Sequence, residues 1–88
     1  MHSREMSAIL LTDLQVGHSG ELAKVDECGV SQRLRELGFV PGTLVTMVRI
    51  GAFGDPVEIE LRGYRMCLRR ADLKGMRVVL KDNGFAEQ

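Results

Sequence analysis

The chain is 88 residues long, 44% hydrophobic and 27% charged, the proportions of one small globular domain and not of a disordered segment. Its 12 basic and 12 acidic side chains cancel, so it lacks the basic excess of a general nucleic-acid or anionic-membrane binder. No apolar run has the length of a membrane span and the opening MHSREMSAILL lacks a signal-peptide pattern, so a cytoplasmic protein is expected, with Cys28 and Cys67 as free thiols.

Residues 1–7 and 81–88 are polar and aperiodic, and are expected to be flexible ends around one domain at 8–80. LLTDLQVG predicts a short strand or lead-in, then a single turn capped by Thr12 or Asp13 and stopped near Gly17. SGELAKVDE follows as a strand, its Leu22, Ala23 and Val25 only loosely alternating. GVSQRLRELGFVPG is the clear helix: Val30, Leu34 and Leu37 form one apolar stripe, and Ser31 can cap its start. Gly38 suits a left-handed residue after the last turn, and Pro41 forbids continuation. Pro41-Gly42 then turns the chain into the β-branched strand TLVTMVRI.

GDPVEIELRGYRMCLRR, residues 54–70, reads as a hairpin. With Arg62-Gly63 as a two-residue turn, Leu61 faces Tyr64, Ile59 faces Met66 and Val57 faces Leu68, and these six side chains form the core face. On the other face Glu60 lies opposite Arg65, Glu58 meets Cys67, and Asp55 comes near Arg70. The dense charge is therefore cross-strand pairing that also discourages edge-to-edge association. A turn at ADLKG and a last strand, MRVVL, complete the chain. The fold class is mainly β: a small, partly open SH3-like barrel of about five strands with one short α-helix.

Residues 33–73, RLRELGFVPGTLVTMVRIGAFGDPVEIELRGYRMCLRRADL, resemble the FeoA family of bacterial ferrous iron transport proteins. The likeness lies in the RLRELGFVPGT helix and turn, the GDPVEIELRGY hairpin and the LRRAD segment, and with the flanking strands it covers residues 8–80. It implies an SH3-like fold and a cytosolic accessory role at the membrane transporter FeoB, whose soluble part is a GTP-binding domain. A similar domain ends the DtxR-type iron-dependent repressors. Here no helix-turn-helix module precedes it, so the free-standing version is expected.

Catalytic chemistry is not evident in the residues. There is no G-x-x-x-x-G-K-[ST] loop, and the glycines of GAFGD lead into a strand, where a phosphate cradle needs a helix start. His18 and Ser19 are neighbours on an extended segment and point to opposite sides. An enzyme is not expected. No cofactor is required by any motif, yet His18 with Glu21 leaves room for surface capture of Zn²⁺ or Fe²⁺. His2, Cys28, Cys67, Asp26 and Glu27 are the other available ligands, without C-x-x-C or H-x-x-x-H spacing.

A protein-binding surface remains. Phe53, in the loop GAFGDP beside Asp55, has no periodic reason to be buried; closure of the barrel end is its competing role. Leu37 and Phe39 flank the helix end, where core packing is the first reading of both. The expected docking patch is the Phe53–Asp55 loop with the adjoining helix end, its partner the GTP-binding part of FeoB. Homodimerisation stays open, since a small barrel can keep one free edge. No nucleic acid and no membrane insertion are expected. The alternative function is a metal-delivering or metal-sensing module.

Overall fold

The computed structural model describes residues 8–25 and 32–81. The expectations placed on His2, Asp26, Glu27, Cys28, Val30, Ser31 and both ends beyond these limits lie outside the described residues. Six strands and one helix follow in chain order: β1 (Ala8–Leu10), β2 (Ser19–Val25), α1 (Gln32–Leu37), β3 (Leu44–Ile50), β4 (Val57–Leu61), β5 (Tyr64–Leu68) and β6 (Met76–Lys81). Two 3₁₀ turns, Leu11–Asp13 and Arg70–Leu73, join them. The strand expected at the start of LLTDLQVG begins earlier, at Ala8, and ends at Leu10, and it makes the count six among the described residues. The first 3₁₀ turn has no side-chain cap: its N-cap is Leu10, so neither Thr12 nor Asp13 plays the part expected of it.

All pairings are antiparallel, in the order β1-β6-β2-β3-β4-β5. The sheet is open, since β1 and β5 end the order unpaired with each other. It bends where β2 and β3 carry irregularities, between Leu22 and Lys24 and between Met47 and Arg49. An extra residue on one strand kinks that strand and increases its twist, which lets a six-stranded sheet curl over its own contents. Those contents are the alternate residues of the strands: Val45 and Met47 of β3, Val57, Ile59 and Leu61 of β4, and Met76 and Val78 of β6. Leu11, Leu14 and Leu73 fill in from the 3₁₀ turns and the connection that follows the first, and Leu34 from α1. Burying each aliphatic side chain stabilises the fold by about 1.5–3 kcal/mol relative to leaving it in water.

The β4–β5 hairpin has the expected register: Val57 opposite Leu68, Ile59 opposite Met66, Leu61 opposite Tyr64. Both turn residues adopt positive φ, Arg62 at 54° and Gly63 at 82°, the requirement for a two-residue turn that matches strand twist. One expectation fails here. Tyr64 shares the core face in phase but is 69% exposed, and Met66 and Leu68 are half-buried. β5 is the edge of the sheet, so no further strand covers the start of that face.

The helix ends as Gly38 predicts, with φ of 120°. The Phe39 N–H donates to the Leu34 carbonyl and the Gly38 N–H to the Arg35 carbonyl, both at 3.1 Å. This pair of bonds is the Schellman arrangement, which turns the residue after the glycine back toward the helix's apolar side. Phe39 and Leu34 accordingly both belong to the core cluster.

Candidate docking site

The connection between β3 and β4, residues 51–56, is a loop closed on itself. Its Gly51 N–H donates to the Pro56 carbonyl and its Gly54 N–H to the Gly51 carbonyl, each at 2.9 Å. A side chain at position 51 would put its Cβ 2.6 Å from the Asp55 carbonyl oxygen, so this tightness needs glycine. Phe53 at the tip is 97% exposed. It does not close the barrel end.

A single arginine grips the loop from outside. The Arg70 backbone N–H donates to Asp55 Oδ1 at 2.9 Å. Its guanidinium donates through Nε to the Gly54 carbonyl and through Nη1, at 2.8 Å, to the Thr12 carbonyl of the first 3₁₀ turn. The expected proximity of Asp55 and Arg70 is therefore real, but it is not a cross-strand ion pair. The carboxylate holds the backbone, and the guanidinium holds carbonyls of two other segments. Sequence reasoning missed this role of Arg70. The one available signal was its place just after β5 in LRRAD, which says nothing of partners 16 and 58 positions away.

Elsewhere the charges pair much as expected. Arg65 Nε is 3.5 Å from Glu60, across the hairpin. Glu58, opposite the exposed Cys67, also reaches Arg49 of β3 at 3.2 Å.

The helix end does not join this loop. Phe39 is 0% exposed and cannot touch a partner; it is a core residue and leaves the docking set. Leu37 is 41% exposed. Position 38 between them abuts Leu61 and Arg62, where a Cβ would come within 3.1 Å of both side chains. Leu61 ends β4, whereas the loop carrying Phe53 and Asp55 precedes its start at Val57. The two places are a strand length apart, about 13 Å at the usual rise. The single expected patch is thus two separate features. By Leu37's end of β4 there is also a groove, lined by Thr43, Leu44, Thr46, Glu60 and Arg62.

Among the described residues the metal-ligand candidates are not gathered. Glu21 is engaged by Lys81 at 3.3 Å across β2 and β6. His18, three positions earlier, is exposed just before β2, a spacing that sends extended side chains to opposite sides. Among the described residues no three His, Cys, Asp or Glu side chains come together as a ligand set. Those residues do not by themselves fit a resident metal. Among them, too, no helix is long and apolar enough to cross a membrane.

Residues 9–80 match the FeoA domain family. The chain is 34% identical over 71 residues to the Fe(2+) transport protein A/Fe(2+) transporter FeoB fusion protein of Porphyromonas gingivalis, a match over 80% of this chain and 8% of that relative's length. Among solved structures it is similar to the zinc complex of Stenotrophomonas maltophilia FeoA, a procaryotic SH3 domain protein, at 31% identity and a TM-score of 0.67 over 85% of this chain and 92% of that one. It is likewise similar to the FeoA-like protein of Clostridium acetobutylicum, at 27% identity and a TM-score of 0.74 over 84% and 87% of the two chains.

Proposed function

This chain belongs to the FeoA family of ferrous iron transport proteins, and on that premise we propose that it is a cytosolic accessory subunit that regulates a FeoB-type transporter by binding the transporter's GTP-binding part. The observation that carries the reading is the P. gingivalis relative, in which an Fe(2+) transport protein A portion and FeoB form one fusion protein. Fusion gives two modules a high effective concentration for each other, which supports a contact between them also when they are separate chains. The role proposed is binding, not catalysis.

The surface proposed for the contact is the Phe53–Asp55 loop. An exposed aromatic on a closed loop is the kind of anchor that dominates a small interface, where truncation costs about 2 kcal/mol or more. Regulation requires more than affinity. A bound module shifts a transporter only by the difference in its affinity for two transporter states. The test is titration calorimetry of the full chain with the transporter's soluble GTP-binding domain, carrying GDP or a non-hydrolysable GTP analogue. Binding with unequal affinities in the two arms is the expected result, with Phe53→Ala weakening both. Equal affinities would mean attachment without regulation, and no binding in either arm rejects the reading.

A second reading, that the chain itself delivers or senses Fe²⁺ or Zn²⁺, draws on the zinc complex of the S. maltophilia relative. Equilibrium dialysis of wild type and His18→Ala with each ion separates it from the first. Uptake lost with His18 favours metal handling at His18; uptake absent or unchanged removes that site.

A further inference from the structure

We propose that Arg70 is the positioning residue of the docking loop: it holds Gly54 and Asp55 so that Phe53 is presented in one fixed attitude to the FeoB-type partner. This deepens the docking reading above and rests on it.

The folded chain itself has no use for Phe53. The ring stands almost wholly in water and contributes nothing to the core cluster. An exposed ring on a loop free to move would lose conformational entropy when it docks, and that loss is subtracted from affinity. The two backbone bonds within residues 51–56 close the base of the loop. They leave Gly54, with its φ of 89° and no side chain, next to the ring. Gly54 is where Arg70 acts. Its Nε–H binds the Gly54 carbonyl while the neighbouring Asp55 carboxylate accepts its backbone N–H, so the residues directly after Phe53 are held from the same side. The Nη1–H bond to Thr12 carries the anchorage onward. Thr12 lies beside buried Leu11, and Arg70 opens the 3₁₀ turn that buries Leu73, so both ends of the brace are fixed in the core.

Arginine suits this place and lysine does not. A guanidinium presents several N–H donors in a rigid plane and can serve two carbonyls at once; an ammonium is a single point charge on a flexible stem. The bonds have a charged donor and a part-buried setting, which makes them stronger than neutral ones. Arg49 and Arg65 are used differently: their exposed guanidiniums pair with carboxylates on the sheet face.

The test uses the full ¹⁵N-labelled chain as wild type, Arg70→Ala, Arg70→Lys, Phe53→Ala and the Arg70→Ala/Phe53→Ala double variant. Backbone relaxation needs no partner. In Arg70→Ala the order parameters of Phe53 and Gly54 should fall from about 0.85 toward 0.6 or below, while β4 and β5 keep theirs. Arg70→Lys should show the same local loss, and it decides the matter if the alanine variant does not fold. Titration with the GTP-binding domain should show Arg70→Ala weakening binding about tenfold. In the Phe53→Ala background the same change should have no further effect, because the ring it positions is gone. A loop as ordered in both Arg70 variants as in wild type overturns the proposal, as do additive losses in the double variant. Failure of the wild-type chain to bind refutes the docking reading instead, and leaves the order parameters to decide whether Arg70 holds the loop.

Discussion

Leu37 and Phe39 stand two positions apart and meet opposite fates. The cause is Gly38, whose left-handed φ lets the chain fold back so that the Phe39 N–H reaches the Leu34 carbonyl. The helix stripe points Leu37 toward the core only if the helix lies flat on it. The observed C-terminal turn gives that place to Phe39 instead. Phe39→Ala should therefore cost about 3–5 kcal/mol, a large share of a small domain's stability. Leu37→Ala should stay within about 0.5 kcal/mol, the range of ordinary surface changes. Urea unfolding followed by circular dichroism checks both. Similar losses at the two sites would contradict the burial difference.

At the scale of elements, the hairpin shows which of its features matters more. Its outward charges include the Glu60–Arg65 contact, with side chains 41% and 60% exposed. Exposed pairs of this kind contribute about 0.2–1 kcal/mol and are screened by salt. The turn is another matter. Gly63 holds φ of 82°, a conformation that penalises any residue with a Cβ. Gly63→Ala should cost about 1 kcal/mol or more, and its effect should be the same at low and high salt. A double-mutant cycle on Glu60 and Arg65 should give a smaller coupling that fades toward zero in high salt. A coupling larger than the turn effect would reverse this ranking. The edge position of β5 belongs to the same scale: Tyr64 keeps the phase of Leu61 but lacks a neighbouring strand to cover it.

For the whole molecule, one core cluster draws residues from α1, β2, β3, β4, β6 and the connections around the two 3₁₀ turns. Among the described residues no strand holds a separate set of buried neighbours. The domain should unfold in one step, with calorimetric and van't Hoff enthalpies equal. An intermediate that loses β1 and β6 while keeping the β3–β5 meander would show two cores where the structure has one. The function proposed also belongs to this scale. The curled sheet carries its closed, exposed loop at one end of β4 and its helix at the other, so a partner meeting Phe53 need not touch the helix end.

Local chemistry was enough for much of this. Strict alternation in VEIEL, an Arg-Gly turn and a Gly after a helix determine strand phase, hairpin register and helix end, because each depends on residues within a few positions of one another. The same locality made the FeoA resemblance readable over the hairpin and helix. Only the tertiary structure decided that Tyr64 is exposed, that of Leu37 and Phe39 only Phe39 is core, that Phe53 and Leu37 do not share a patch, and that Glu21 is engaged by Lys81. It alone decided that Arg70 clasps Gly54 and Thr12. The physical reason is common to all five: burial and long-range hydrogen bonds depend on which distant segment the curled sheet brings alongside, and no periodicity in the chain encodes the neighbour.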